Sequence, residues 1–170
     1  MIALSSPTQE ELALIRELMR EYVREIQVDL CFQGFEEELQ RLPGAYAPPE
    51  GTLLLARVDG VVAGCVAGHR WEEGVCELKR LYVRPAFRGT GCGRALVAGL
   101  ITWSEQAGYT RILLDTLSSM DAAIGLYRSV GFYEIEPYRP NPLPGPRYFA
   151  RDSESGLAGW APQTERTHAE

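Results

Sequence analysis

The 170-residue chain corresponds to about one domain and can bury roughly 70% of its extended-chain surface in one core. Its 45% hydrophobic and 24% charged residues exclude disordered, fibrous and collagen-like classes. Seventeen Lys and Arg against 23 Asp and Glu leave a net charge of −6, which argues against nucleic acid or an anionic membrane as partner, so any anion must be bound by local groups. Of the basic residues only Lys79 is lysine; a solvated surface tolerates either cation, and no function is read from it.

The N-terminal stretch MIALSSPTQEE lacks the basic start and long apolar run of a signal peptide, and no run of 18 apolar residues follows, so a cytoplasmic protein is expected. Cys31, Cys65, Cys76 and Cys92 form no C-x-x-C pair and are expected to stay thiols in small buried volumes. His69 and His168 stand alone, so no metal site is expected.

In chain order, Ile2 to Leu4 reads as a short strand, and Ser6-Pro7-Thr8 offers a cap for a helix. Leu12, Ile15, Met19, Tyr22 and Ile26 then repeat at spacings of three and four, one apolar helical stripe that faces the core. A shorter helix covers Phe35 to Leu42 and ends at Pro43-Gly44, and Pro48-Pro49 and Gly51 make a loop. Thr52 to Val58 and Val61 to His69 are β-branched runs around Asp59-Gly60, a strong hairpin signal. Glu72-Glu73-Gly74 turns the chain into a third strand, Val75 to Val83, which Pro85 stops.

Gly91 to Ala107 has helical character, Ile112 to Leu114 is a short buried strand, and Ser119 to Val130 is a helix entered through serine caps. Strand, helix and strand at this spacing predict a parallel crossover. Phe132 to Ile135 begins a closing strand, and Arg147 to Ala150 is its expected partner across a proline-rich loop, residues 137–146. The predicted class is α+β, a mixed and mostly antiparallel sheet flanked by helices. Residues 1–150 form the single domain and 151–170 a polar, mobile tail.

Chemistry concentrates where an apolar strand runs through Arg88-Gly89-Thr90-Gly91-Cys92-Gly93-Arg94 into a helix. Glycines let backbone N–H groups converge, and the free N–H groups of a helix start carry the positive end of its dipole, so this turn suits a phosphate or pyrophosphate. Arg88 and Arg94 add local charge. By itself the motif is also an ordinary tight turn. A P-loop is excluded because no glycine here precedes a lysine, and the dinucleotide fingerprint fails at Arg94, where it needs a third glycine.

Leu126-Tyr127-Arg-Ser-Val-Gly131-Phe132 is a helix end passing into a strand. An R-G-x-G-x-G segment 35–40 residues before L-Y-x-x-x-G-F resembles the signature of the GNAT superfamily of acetyl-CoA-dependent N-acetyltransferases, over roughly residues 1–150. The resemblance implies that Arg88, Gly91 and Gly93, with Gly89, Thr90, Cys92 and Arg94 around them, hold the CoA pyrophosphate. It also implies that Leu81, Tyr82 and Val83 offer main-chain groups to the pantetheine arm in a splayed gap between two parallel strands. Tyr127 falls on the tyrosine that protonates the departing thiolate, against a plain packing role under the sheet. Glu77, eleven residues before Arg88, matches the catalytic glutamate of histone-acetylating members. The chemistry asks for such a base, because an amine of lysine-like pKa is an ammonium at neutral pH and attacks only after losing a proton. Pairing with Lys79 or Arg80 is the competing reading of Glu77, and Asp115 is the reserve candidate. Many members carry an asparagine seven residues before the tyrosine; here that position is Met120, which puts one cofactor contact in doubt.

The expected walls of an acceptor pocket are Tyr22, Phe32 and Phe35, then His69, Trp71 and Glu72, then Tyr138, Arg139 and Asn141. Arg80 and Arg139 are candidate partners for a substrate carboxylate. The expected activity is acetyl transfer from acetyl-CoA to a primary amine of a small molecule, an amino acid or related amine, without metal and in a ternary complex; a homodimer is compatible with it. A protein or peptide amine, a non-catalytic acyl-CoA-binding sensor and a plain interaction domain stay open as alternatives.

Overall fold

The structure, a computed structural model, describes residues 1–29 and 34–154. Cys31 and Phe32, and the expected tail beyond residue 154, lie outside the described residues. The elements are β1 (Ile2–Ser5), α1 (Leu12–Ile26), α2 (Phe35–Gln40), β2 (Thr52–Val58), β3 (Val61–Glu72), β4 (Val75–Val83), α3 (Cys92–Gln106), β5 (Arg111–Leu117), α4 (Asp121–Ser129), β6 (Tyr133–Ile135) and β7 (Pro146–Asp152). They build one seven-stranded sheet in the order β1-β2-β3-β4-β5-β7-β6. Only β4 and β5 pair in parallel, as the crossover through α3 requires.

Local chemistry explains most boundaries. The cap before α1 is Thr8: its Oγ1 accepts from the Glu11 amide at 3.3 Å, and the Glu11 carboxylate accepts from the Thr8 amide at 2.9 Å, a reciprocal capping box. The predicted serine caps of α4 are not used. Met120 occupies the cap position without a side-chain bond, because the Ser118 amide instead donates to the Gly145 carbonyl at 2.7 Å and carries the chain out of β5. Strand β5 is also longer than its apolar centre, since it pairs with β7 from Arg111↔Asp152 to Leu117↔Pro146. Order in β7 therefore runs two residues past the expected end at Ala150, and Ser153 beyond it is buried.

Alternation along the strands divides the apolar side chains between two cores. Leu53, Leu55, Cys65 and Ala67 face α1 and α2, meeting Ile15, Leu18, Met19 and Leu39. Ala56, Val66, Leu78 and Leu114 face α3 and α4, meeting Leu96, Leu100, Ile124 and Tyr127. Cys65, Cys76 and Cys92 are free and buried in these layers, and desolvation pushes the Cys65 and Cys76 thiols up to about 12. They are neutral space-fillers at physiological pH.

Candidate active site

The parallel pair holds together at only three positions, Val75↔Arg111, Cys76↔Ile112 and Glu77↔Leu113. Beyond them Leu78–Val83 and Leu114–Leu117 separate. A bulge shapes the β4 side of this gap: β3 pairs Ala67 with Lys79 and then Cys65 with Tyr82, so three steps on β4 oppose two on β3, and Arg80 takes a φ of 60°. Directly paired residues share a face, so Lys79 and Tyr82 both project toward α1 and α2, the face that Glu77 also occupies.

A groove of about 770 Å³ leads along the gap to the start of α3. Of the ten residues expected to hold the cofactor, Leu81, Tyr82, Val83, Arg88, Gly89, Gly91, Cys92, Gly93 and Arg94 line it. Thr90 does not; its hydroxyl donates to the Phe87 carbonyl at 2.6 Å and holds the turn. Gly89 and Gly91 have φ of 78° and 89°, a left-handed region that penalises any Cβ, and Gly91 caps α3 so that its first-turn N–H groups lack helical acceptors. An anion is stabilised there by those N–H groups and the helix dipole. The arginines stand at the rim already engaged: Arg88 bonds the Val83 carbonyl at 3.0 Å and Glu25 at 2.7 Å, and Arg94 donates to Ser129 at 2.9 Å. A polar anion cradle joined to an apolar channel of Leu81, Val83, Phe87 and Leu126 fits a CoA diphosphate followed by its pantetheine arm.

Inward from the groove, and sharing Tyr22, Leu81, Leu117 and Met120 with it, lies a smaller cavity of about 70 Å³. Tyr127, Asp115, Thr116, Lys79, Arg80 and Asn141 also line it. Burial raises the Tyr127 phenol above its ordinary value, with Tyr22 and Asp115 adding to the shift, so it is protonated throughout the neutral range. Among the described residues Asp115 is the only carboxylate lining this cavity. Asn141 donates to it at 3.0 Å and Arg139 at 3.1 Å, while the Asn141 carbonyl accepts from the Leu143 amide at 3.0 Å. These bonds tie the proline-rich loop to β5 and bring Leu143 over the cavity.

Glu77, the expected base, is placed differently. It is 0% exposed and lines neither cavity. His69 Nε2 lies 2.9 Å from one oxygen, the Tyr138 hydroxyl donates to the other at 2.6 Å, and Arg139 stands 3.4 Å away. Burial by itself would raise this carboxyl, but the His69 bond, the Lys79 and Arg139 charges and the Tyr138 bond hold it below the usual range.

The other expected wall residues divide in the same way. Tyr22, Arg80 and Asn141 reach the inner cavity. Trp71 and Tyr138 meet edge to face with ring centroids 5.1 Å apart, and the Arg139 guanidinium lies 5.9 Å from the indole. Phe35 lies under the Arg80 guanidinium at 5.3 Å. Both arginines considered for a substrate carboxylate are already bound: Arg80 to Glu38 at 2.8 and 3.1 Å, Arg139 to Asp115 and Glu77. Lys79, Thr116 and Leu143 were not anticipated in the site. The signal for Lys79 was present, a lysine two residues beyond Glu77 on the same strand in a chain otherwise built with arginine.

The profile of the acetyltransferase (GNAT) family matches residues 14–132. An uncharacterized N-acetyltransferase of Schizosaccharomyces pombe is 45% identical over 133 residues, covering 77% of this chain and 82% of that protein. An IAA acetyltransferase of Azospirillum brasilense is 33% identical over 146 residues, covering 84% and 92%. Among solved structures, a GNAT-family acetyltransferase from Staphylococcus aureus superposes with a TM-score of 0.75 at 19% identity, over 89% of this chain and 99% of that one. The matched span contains the glycine turn, the diverging strands and Tyr127, and on this evidence the chain belongs to the acetyltransferase (GNAT) family, the acetyl-CoA-dependent N-acetyltransferases.

Proposed function

We propose that the protein transfers the acetyl group of acetyl-CoA directly to the primary amine of a small molecule while both are bound. The observation that carries this reading is the continuity of the two cavities: the groove ends at Met120 and Leu81, and Tyr127 and Asp115 stand immediately inward. The thioester supplies the activated acetyl group. The remaining work falls to the chain. The α3 N-terminus holds the diphosphate, and the main chain of Leu81, Tyr82 and Val83 is available to the pantetheine amides along the separated strand edge.

Asp115 takes the proton that the acceptor ammonium must lose, since it is the carboxylate that reaches the cavity. Glu77 acts through others. It fixes His69, Tyr138 and Arg139, and Arg139 in turn orients Asp115. Tyr127 gives its proton to sulfur as the carbon–sulfur bond breaks; burial raises the phenol, which therefore carries that proton at neutral pH. The small inner volume beneath Leu143 supports a small amine over a folded protein surface.

The test is CoA release from acetyl-CoA across amino acids, polyamines, aminoglycosides and peptides, with a no-acceptor control because the protein has thiols of its own. Tyr127→Phe is expected to lower kcat by about 10²–10⁴ with acetyl-CoA binding unchanged. Asp115→Asn is expected to lower kcat by about 10²–10⁴ and Glu77→Gln to lower it less. Full activity of Tyr127→Phe removes that residue from the mechanism, and a loss of that size in Glu77→Gln with Asp115→Asn active returns the base to Glu77.

A further inference from the structure

Resting on that reading, we propose that Lys79 is the recognition group of the acceptor site and that the acceptor is an amine bearing a carboxylate, an amino acid or a compound of the same class. The charged groups around the inner cavity carry this inference. Arg80 is held by both oxygens of Glu38, at 2.8 and 3.1 Å, and Arg139 is divided between Asp115 at 3.1 Å and Glu77 at 3.4 Å. Each guanidinium therefore already has its anion. Lys79 lines the same cavity as Tyr127 and Asp115, and among the described residues its ammonium has no carboxylate within ion-pairing distance and no hydrogen-bond acceptor.

The groups facing it come from every side: Glu77 and Arg80 on its own strand, Glu38 from α2, Arg139 from the proline-rich loop, Asp115 across the gap and Tyr22 from α1. Burial, then Arg80 and Arg139, lower the Lys79 ammonium to about 8, against the opposing pull of Glu77 and Glu38. A partly desolvated ammonium beside two guanidiniums that hold the nearby carboxylates touches none of them, and a substrate carboxylate supplies that contact through a charge-assisted hydrogen bond. Lysine suits the place better than arginine: a compact charge on a flexible stem reaches into about 70 Å³ where a planar fork would fill the space. The amine of the same molecule then lies toward Asp115 and the acetyl group.

The experiment compares each of several amino acids with its own carboxamide, glycine with glycinamide, alanine with alaninamide, β-alanine with its amide, in the CoA-release assay. The carboxamide amine is the less basic and more readily deprotonated, so a preference for the acid is not a consequence of amine reactivity. Wild-type protein is expected to favour the acids. Lys79→Met is expected to raise the KM of the acid about ten- to hundredfold, the range of a lost hydrogen bond to charge, with the amide and acetyl-CoA KM values unchanged. In wild type the acid KM rises above about pH 8 as the ammonium titrates, and in Lys79→Met the acid KM is high at every pH with no such rise.

Equal effects of Lys79→Met on acid and amide, turnover confined to amines without a carboxylate, or intact-mass detection of an acetyl group on Lys79 itself each overturn the proposal. No turnover with any acid also overturns it. A melting temperature that acetyl-CoA still raises in that case shows that the acetyl-CoA reading survives, and the same rise in Lys79→Met shows that the variant is folded.

Discussion

Glu77 shows how a residue's chemistry and its accessibility separate. The strand and the carboxylate were legible in the sequence, and so was the need for a base. Its isolation from the cavity was not, because Tyr138 and Arg139 join it from 61 and 62 positions later, across a proline-rich loop that no local pattern places. Glu77→Gln leaves a single acceptor oxygen for donors that now share two, at an expected cost of about 1–3 kcal/mol. The native carboxyl sits below its ordinary value, so its stabilising contribution is complete above the unfolded pKa of about 4.3 and fades as pH falls through the lower native value. Urea unfolding of wild type and Glu77→Gln is thus expected to show a gap at pH 7 that narrows as pH falls below the unfolded value of about 4.3. Lys79 is the converse case: a single unusual residue was visible, but its meaning depends on Glu38 and Asp115 having bound the neighbouring arginines, which only the tertiary structure shows.

At the scale of elements, the glycine turn and α3 were legible because the requirement is local: backbone N–H groups converge only where side chains are absent and φ is positive. Gly91→Ala tests this directly. A non-glycine residue at φ 89° costs about 1–2 kcal/mol, and the relaxation that relieves it rotates the first-turn N–H groups away from the anion. Acetyl-CoA affinity measured by calorimetry is expected to fall about tenfold or more, since 1.4 kcal/mol is a factor of ten. Helix α1 was equally clear from its apolar stripe, its first turn fixed by the Thr8–Glu11 pair. The lengths of β5 and β7 and the start of α4 were not legible. They follow from pairing between segments more than 25 residues apart, and a register of that kind leaves no trace in either segment alone.

For the molecule as a whole, fold class, the meander and the parallel crossover were readable because a hairpin signal and one crossover leave few topologies, whereas the placing of β7 between β5 and β6 was not. The widening of the gap was known only through the family resemblance, and its physical cause lies in the bulge at Arg80. Acetyl-CoA at a hundredfold excess over its Kd is expected to stabilise the native state by about 2.7 kcal/mol, raising the melting temperature about 5–10 °C in differential scanning fluorimetry; no rise would speak against the assigned groove. The three residue pairs between β4 and β5 give this linkage a cellular side. With the bonds from the Thr110 and Arg111 amides to the Gly74 carbonyl, they join a four-stranded and a three-stranded half of the sheet, and in the proposed complex a pantetheine chain continues that seam as an extra strand would. On the proposed binding mode, proteases that sample opened molecules are expected to clear the protein fastest when acetyl-CoA is scarce, so that its lifetime, and not only its rate, follows the supply of that substrate.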